Sequence, residues 1–325
     1  MRQEPVSIIV SAKNEEKNLP GLLESLTKQK YPDYEIIIID DGSVDDTASI
    51  LTEAKSKYNN LKVIHLAAVG KKGALTAGIQ EASHEILLFT DADCIPVSDF
   101  WIHETTAACT GTTEIVLGYG AYKKQKGLLN KLIRFDTALI AIQYFSLTLW
   151  KHPYMGVGRN LCYRKNLFKK SDGFKKHQNI QSGDDDLFIQ EVATARNTEI
   201  SLHPDSFTIS EPAGSYGEWF RQKLRHHTTA PRYAKKTAFF LLISGLAPII
   251  YYITLIALVV SGNYLFAVVT YSFILLYQLF TFRPAVNKLG ENDLAFFWPV
   301  LDIMYTFAIL YIGIGSIFYS RTRWN

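Results

Sequence analysis

Three stretches of this chain are almost free of charge, and each is too apolar to rest in water. Ala238–Val260 and Tyr264–Phe282 contain no charged residue, and Ala295–Tyr319 contains only Asp302. An α-helix rises 1.5 Å per residue, so about 20 apolar residues cross the roughly 30 Å of bilayer hydrocarbon. The 325-residue chain therefore divides into a polar part, residues 1–236, and a membrane part, 237–325, with spans at about 238–260, 264–282 and 295–319. Asp302 is read either as a functional intramembrane acid or as lying near the interface end of its span.

The net charge of +3 is too small to point to nucleic acid. The basic residues cluster instead: Lys123, Lys124, Lys126, Lys131 and Arg134 form one group, and Arg221, Lys223, Arg225, Arg232, Lys235 and Lys236 precede the first span. Such clusters beside apolar segments favour the anionic inner leaflet, and the positive-inside rule predicts a cytosolic polar domain on a multi-pass inner-membrane protein. Arg283 and Lys288 fall on the same side. Arg321 and Arg323 would then lie outside, so either the third segment is re-entrant or the upstream bias outvotes them. Cys94, Cys109 and Cys162 form neither a disulfide framework nor a zinc pattern. The first residues carry no apolar leader, which agrees with a cytosolic domain.

The polar part alternates short β-branched runs with helical stretches. Val6–Val10, Glu35–Ile39, Lys62–Leu66 and Glu85–Phe89 are the runs; Leu19–Lys28, Thr47–Tyr58 and Lys72–Ala82 are the helices between them. This order predicts βαβ units, an α/β class and a mostly parallel sheet. Ligands of such sheets bind past the carboxyl ends of the strands. Asn14-Glu15-Glu16, Asp40-Asp41, Gly70-Lys71-Lys72 and Asp91-Ala92-Asp93 stand at those ends. No GxGxxG follows the first strand, which speaks against a dehydrogenase. Leu128–Trp150 has helical apolar spacing with basic residues ahead of it, and reads either as an interfacial helix or as a core helix.

Asp91 and Asp93 follow a buried strand, where two carboxylates repel each other unless a cation lies between them. Mg²⁺ or Mn²⁺ suits such a hard, oxygen-rich site shared with phosphate. Asp40 and Asp41 can accept hydrogen bonds from a nucleoside, besides capping a turn. Lys71 starts a helix, and a helix N-terminus with a lysine suits a diphosphate. In Ser182-Gly183-Asp184-Asp185-Asp186, desolvation or a like-charged neighbour would raise the pKa of one carboxylate and make it a better general base; the alternative is a solvated acidic turn capping a helix from Leu187. Gln222 and Arg225 share a helix face.

Together these motifs resemble family-two glycosyltransferases, the inverting GT-A enzymes that include cellulose and hyaluronan synthases. The resemblance covers about Val6–His226. Ser11-Ala12-Lys13-Asn14-Glu15-Glu16 is similar to the family's opening segment, Asp40-Asp41-Gly42-Ser43 to its nucleoside-contacting VDDGS, and Gly70–Leu75 to its GKxGAL near the donor phosphates. Asp91-Ala92-Asp93 matches the DxD, whose last acid touches the metal. Gly183-Asp184-Asp185 is similar to GDD, which favours Asp185 as catalytic base; alignment on the acid-acid-x-Asp-Leu form favours Asp184. Gln222-x-x-Arg225-His226 resembles QxxRW, with His226 where tryptophan stacks near the acceptor of polymer-forming members.

The resemblance implies a GT-A (Rossmann-like) domain followed by three transmembrane helices, and a metal-dependent hexosyltransferase-type enzyme. Ser11, Asn14, Glu15, Asp40, Asp41, Lys71, Asp91, Gln222 and Arg225 are expected to bind a UDP- or GDP-sugar. Asp91 and Asp93 would bind the metal, Asp185 or Asp184 would act as base, and His226 and Asp186 would lie on the acceptor side. The expected acceptor is a lipid or lipid-linked molecule at the cytosolic membrane face. A processive polysaccharide synthase and a non-catalytic nucleotide-sugar-binding scaffold are the alternatives.

Overall fold

A computed structural model describes residues 3–180 and 182–318, with the side chains of 317 and 318 left out. Arg321, Arg323 and the end of the third span lie outside the described residues. The chain begins β1 (Val6–Ala12), α1 (Leu19–Thr27), β2 (Tyr34–Asp41), α2 (Thr47–Lys57), β3 (Leu61–Leu66), α3 (Lys71–Glu81) and β4 (Ile86–Phe89). It continues through β5 (Cys94–Pro96), α4 (Trp101–Thr106), β6 (Ile115–Leu117), β7 (Gly120–Tyr122), the long α5 (Leu128–Leu149), β8 (Leu161–Arg164) and α6 (Lys165–Lys170). Then come α7 (Asp186–Val192), β9 (Thr198–Ile200), β10 (Thr208–Ser210), α8 (Tyr216–His226), α9 (Lys235–Val260), α10 (Tyr264–Lys288) and α11 (Leu294–Phe318). Two compact units result: residues up to Lys123 with Gln143–Glu211, and Lys124–Ile142 with the residues from Pro212 on. The division falls within α5.

The first unit is built on a seven-stranded sheet of order β3-β2-β1-β4-β8-β6-β9. The first four strands are parallel, β8 runs antiparallel to β4 and β6, and β9 is parallel to β6. β1 is buried along its whole length, as a central parallel strand covered on both faces must be. Ile8 and Val10 join Leu19, Leu22, Leu23 and Leu26 of α1 in one core, the leucines recurring at i, i+3, i+4 and i+7. Ile9 and Ile39 point the other way, against Gly78 of α3. A smaller sheet, β5-β10-β7, follows β4.

The second unit holds α8 to α11 and the first part of α5. α9, α10 and α11, like α5, are long and apolar enough to cross a membrane. Most side chains of α9 and α10 are exposed, Phe273 at 69% and Phe280 at 75%, the surface a lipid-facing helix presents. α10 continues past Arg283 and Pro284 to Lys288, farther than its uncharged stretch. By contrast the apolar window of α5 is mostly buried, whereas Leu149 and Trp150 at its end are exposed.

Asp302 is explained by its neighbours. Its Oδ2 accepts from the Tyr252 hydroxyl of α9 (2.6 Å) and from Nε2 of Gln278 of α10 (3.0 Å). One acid on α11 thus fastens all three helices through polar groups that would otherwise be stranded in hydrocarbon.

Two of the cations read as a membrane-facing cluster are buried ion pairs instead. The Arg134 guanidinium, 1% exposed, donates to Oε2 of Glu291 and to both oxygens of Asp293 in the α10–α11 loop. Lys223 of α8 pairs with the buried Asp136 of α5. Lys124 donates to Asp293 (3.2 Å), and in the first unit Lys123 pairs with Glu211 (2.6 Å). The sequence could not distinguish these from surface cations because the acids lie far along the chain. Arg134→Met leaves Glu291 charged and buried without its partner, and is expected to destabilise the protein by about 3–5 kcal/mol. Thermal unfolding of the detergent-solubilised variant measures it; an unchanged midpoint would show that the pair contributes nothing net.

Candidate active site

Parallel pairing brings the carboxyl ends of the first strands to one edge. Ala12 of β1 lies opposite Asp40 of β2, and Phe89 of β4 pairs with Ile9. β8 runs the other way, so its amino end reaches this edge, with Leu161 beside Phe89. That register sets Gly158-Arg159-Asn160 next to Thr90-Asp91. The result is a narrow cleft lined among others by Lys71, Thr90, Asp91, Gly158, Asp184 and Asp185. The buried Thr90 hydroxyl has no hydrogen-bond partner among the described residues.

Lys71, the first residue of α3, bridges two acids. Its Nζ lies 2.9 Å from Oδ1 of Asp91 and 3.1 Å from Oδ2 of Asp184. Burial works against its charge, but Asp184, Asp91 and Asp185 outweigh that and hold the ammonium well above its usual pKa. Among the described residues Asp185 has no such ion pair. Its Oδ2 accepts from the Gly158 amide (2.8 Å), and its Oδ1 caps α7 by accepting from the Asp186 amide (2.7 Å). Burial, followed by the charges of Asp184 and Asp186, pushes its pKa up to about 7 despite Lys71. Gly158 has no side chain to intrude: a Cβ there would lie within 3.7 Å of Asp185, Lys71 and Asp184 together. Gly183, at φ +95°, turns the chain into the acids, where a Cβ would meet Leu187 at 2.6 Å. Asp186 turns inward, 7% exposed, its Oδ1 accepting from the Leu187 amide.

The donor atoms of Asp91, Asp93 and Cys94 lie within 4.8 Å of one another. Asp93 is open on one side but crowded on the others; that desolvation and the charge of Asp91 raise its pKa. A pair of hard oxygens destabilised by mutual repulsion fits Mg²⁺ or Mn²⁺. The Cys94 thiol is held protonated by burial and by both aspartates, and donates toward Oδ1 of Asp93 (3.4 Å), so the oxygen pair is the set that could hold such an ion.

Of the residues expected to bind the donor, Ser11, Asn14, Glu15, Asp40 and Asp41 fall at the same edge, the last four tied to neighbouring loops. Ser11 is buried in β1. Asn14, at φ +58°, donates its amide to Ser43 Oγ and accepts from the Val44 amide, both at 2.9 Å. The Glu15 carboxylate accepts from Asn18 (2.7 Å); burial raises its pKa, with the charges of Asp93 and Asp91 adding to it. Asp40 accepts from the Ser43 amide (3.0 Å) and meets His65 Nδ1 at 3.1 Å. Asp41, with no exposed surface, accepts from the amides of Val69 (2.6 Å) and Gly70 (2.9 Å), so it holds the turn that launches Lys71.

Gln222, Arg225 and His226 stand on α8, in the second unit. Its start is capped by Ser215, which accepts from the Glu218 amide. Two residues at this edge, His65 and Arg159, carried no sequence motif. His65 pairs with Asp40. Arg159 lies 4.5 Å over the Tyr122 ring and donates to Ser210 Oγ (3.0 Å), close enough to Asp93 and Asp91 for each to feel its charge. Lys72, adjacent to Lys71, turns away from the cleft. Only the register of β8 against β4 would have flagged Arg159.

Comparison with known proteins agrees with this geometry. The profile of Glycosyl transferase family 2 matches residues 7–171. Glycosyltransferase AglE of Haloferax volcanii is 34% identical over 230 residues, covering 68% of this chain and 71% of that protein. The beta-monoglucosyldiacylglycerol synthase of a Nostoc species is 42% identical over 103 residues, which span 30% of this chain and only 22% of that enzyme. Among solved structures, the mannosyltransferase PcManGT from Pyrobaculum calidifontis, in complex with GDP-Man and Mn²⁺, aligns over 94% of this chain and 88% of its own. Its TM-score is 0.61 at 17% identity, a likeness of fold. With a GT-A sheet, acids and lysine gathered at its carboxyl edge, and a family match over half its length, the chain belongs to glycosyl transferase family 2.

Proposed function

We propose that this protein transfers one sugar, with inversion, from a UDP- or GDP-sugar to a hydroxyl of a lipid or lipid-linked acceptor. One observation carries the reading: Lys71, bridged between Asp91 and Asp184, shares a cleft with Asp185, a carboxyl with a pKa near neutrality. Asp184 is committed to Lys71, which leaves Asp185 as the base. Asp185 takes the proton of the acceptor hydroxyl as that oxygen bonds to the anomeric carbon. The bond from that carbon to the diphosphate oxygen breaks on the opposite face, and the departing diphosphate is met by Lys71. Asp91 and Asp93 would hold Mg²⁺ or Mn²⁺, which when bound supplies positive charge to the leaving diphosphate. Asp40 would receive the nucleoside, with Asn14, Glu15 and Asp41 fixing the loops around it. The resemblance assigns Gln222 and Arg225 to the diphosphate and His226 to the acceptor.

The lipid acceptor is supported by the long apolar helices and by the relative whose name states a glucosylated diacylglycerol product. The basic residues ahead of the first span support a catalytic domain on the cytosolic face of the inner membrane. Full-length protein in detergent, offered UDP- and GDP-sugars with a lipid hydroxyl acceptor, is expected to yield a lipid heavier by one sugar. A ladder of products by mass spectrometry would indicate a processive synthase instead, and no product with any donor would refute transfer.

The base also fixes a pH dependence. Asp185 is protonated, and useless as a base, below its pKa, and competent above it. With that pKa near 7, kcat/KM is expected to rise about tenfold per pH unit on the acid side and level off above about 7. A flat profile from pH 5 to 8 would exclude Asp185 as the titrating base.

A further inference from the structure

We infer that Lys72 is the positioning residue of the acid-bearing segment, holding the backbone at His177, Ile180 and Ser182 against α3 so that Asp184 and Asp185 stand at the cleft. This rests on the proposed roles of Asp185 and Lys71. The Lys72 side chain is buried, and its ammonium donates to three backbone carbonyls: His177 at 2.5 Å, Ile180 at 3.0 Å and Ser182 at 2.8 Å. All three carbonyls come from one short stretch of chain. Ser182 stands two residues before Asp184.

The placement has a consequence for the reaction. The first turn of α3 touches several parts of the site at once. Its N-terminal amide at Gly70 donates to Asp41, its Lys71 reaches Asp91 and Asp184, and its Lys72 fastens the chain leading into those acids. The turn that would meet the donor diphosphate is therefore rigidly tied to the segment carrying the base. Other ties reach the segment only near its start: Lys176 pairs with Glu191 and His177 Nε2 lies 3.3 Å from the same carboxylate, while Lys175 is exposed and the 3-10 turn at Lys175–His177 buries no side chain. A base displaced by about 1 Å loses on the order of 10²-fold in rate without loss of donor binding.

Full-length Lys72→Met and Lys72→Arg variants test this against the wild type. Three quantities are read: donor affinity by calorimetry, kcat and KM for transfer, and the rate of tryptic cleavage after Lys175 and Lys176. For Lys72→Met we expect donor affinity within about threefold of wild type, kcat lower by about 10²-fold, and faster cleavage at those two sites with an unchanged unfolding midpoint. Lys72→Arg, which keeps the charge and the donors, is expected to recover part of kcat and of the protection. An unchanged kcat in Lys72→Met overturns the inference. So does a loss of kcat that merely tracks a fall in donor affinity and unfolding midpoint, which would make Lys72 a general structural support. If wild-type protein turns over no nucleotide sugar, the functional reading fails. Cleavage after Lys175 and Lys176 still decides whether Lys72 holds the segment, and equal cleavage in all three proteins rejects that as well.

Discussion

Asp185→Asn is expected to bind the nucleotide sugar as the wild type does and to transfer it about 10² to 10⁴ times more slowly, the usual range for removing a positioned base. The amide keeps the shape of the side chain, but its one oxygen can accept from only one of the Gly158 and Asp186 amides, so the outline of the cleft is kept while the proton acceptor and one hydrogen bond are lost. Stability should move the other way. Asp185 binds its proton more tightly folded, with a pKa near 7, than unfolded, near 4, so its contribution is greatest below pH 4 and declines as pH rises to 7. At pH 8 the wild type carries a buried charge that the asparagine lacks, and the variant is expected to unfold at an equal or higher temperature. Asp184→Asn should behave differently. It removes an ion-pair partner of Lys71 and is expected to weaken donor binding. Full activity in Asp185→Asn together with an inactive Asp184→Asn would move the base by one residue.

The second large effect concerns the metal. Chelation of divalent ions is expected to lower transfer by about 10³-fold or more, with recovery on adding Mn²⁺ or Mg²⁺. Asp93→Asn should show a comparable loss that added ion does not fully repair, because one of two hard oxygens has gone. Lys71 is tied to Asp91 and can balance only part of the charge gathered there. Activity that persists unchanged after chelation would mean that Lys71 and the protein's own amides suffice for the leaving diphosphate.

How much of this was legible in the sequence follows from how far each signal reaches along the chain. β1 to β4 and α1 to α3 emerged within one or two residues of their expected limits, because each has a local periodicity and ends on a polar turn. Their parallel order then placed Asp40, Lys71 and Asp91 at one edge. β5, β6, β7, β9 and β10 have three residues each, too few for any alternation to show. The antiparallel insertion of β8 was equally hidden, and with it the position of Gly158 and Arg159 in the cleft.

The side-chain readings divided in the same way. Adjacent lysines in a sequence look alike, yet Lys71 reaches Asp91 and Asp184 while Lys72 enters a cage of carbonyls more than a hundred residues away. Arg134 and Lys223 looked like surface cations because Glu291 and Asp136 are distant in sequence. Asp302 looked unexplained because Tyr252 and Gln278 stand on other helices. The choice between Asp184 and Asp185 could not be made from spacing; it depends on which carboxylate Lys71 occupies.

The most direct test is release of nucleoside diphosphate by the full-length protein in detergent, with UDP- and GDP-sugars, a lipid hydroxyl acceptor, and Mn²⁺ present or chelated, for wild type and Asp185→Asn. The account predicts release with one class of donor, dependent on acceptor and metal, matched by sugar gained in the lipid fraction, and nearly absent in Asp185→Asn. Release that is equal in the two proteins, or independent of the acceptor, would contradict it.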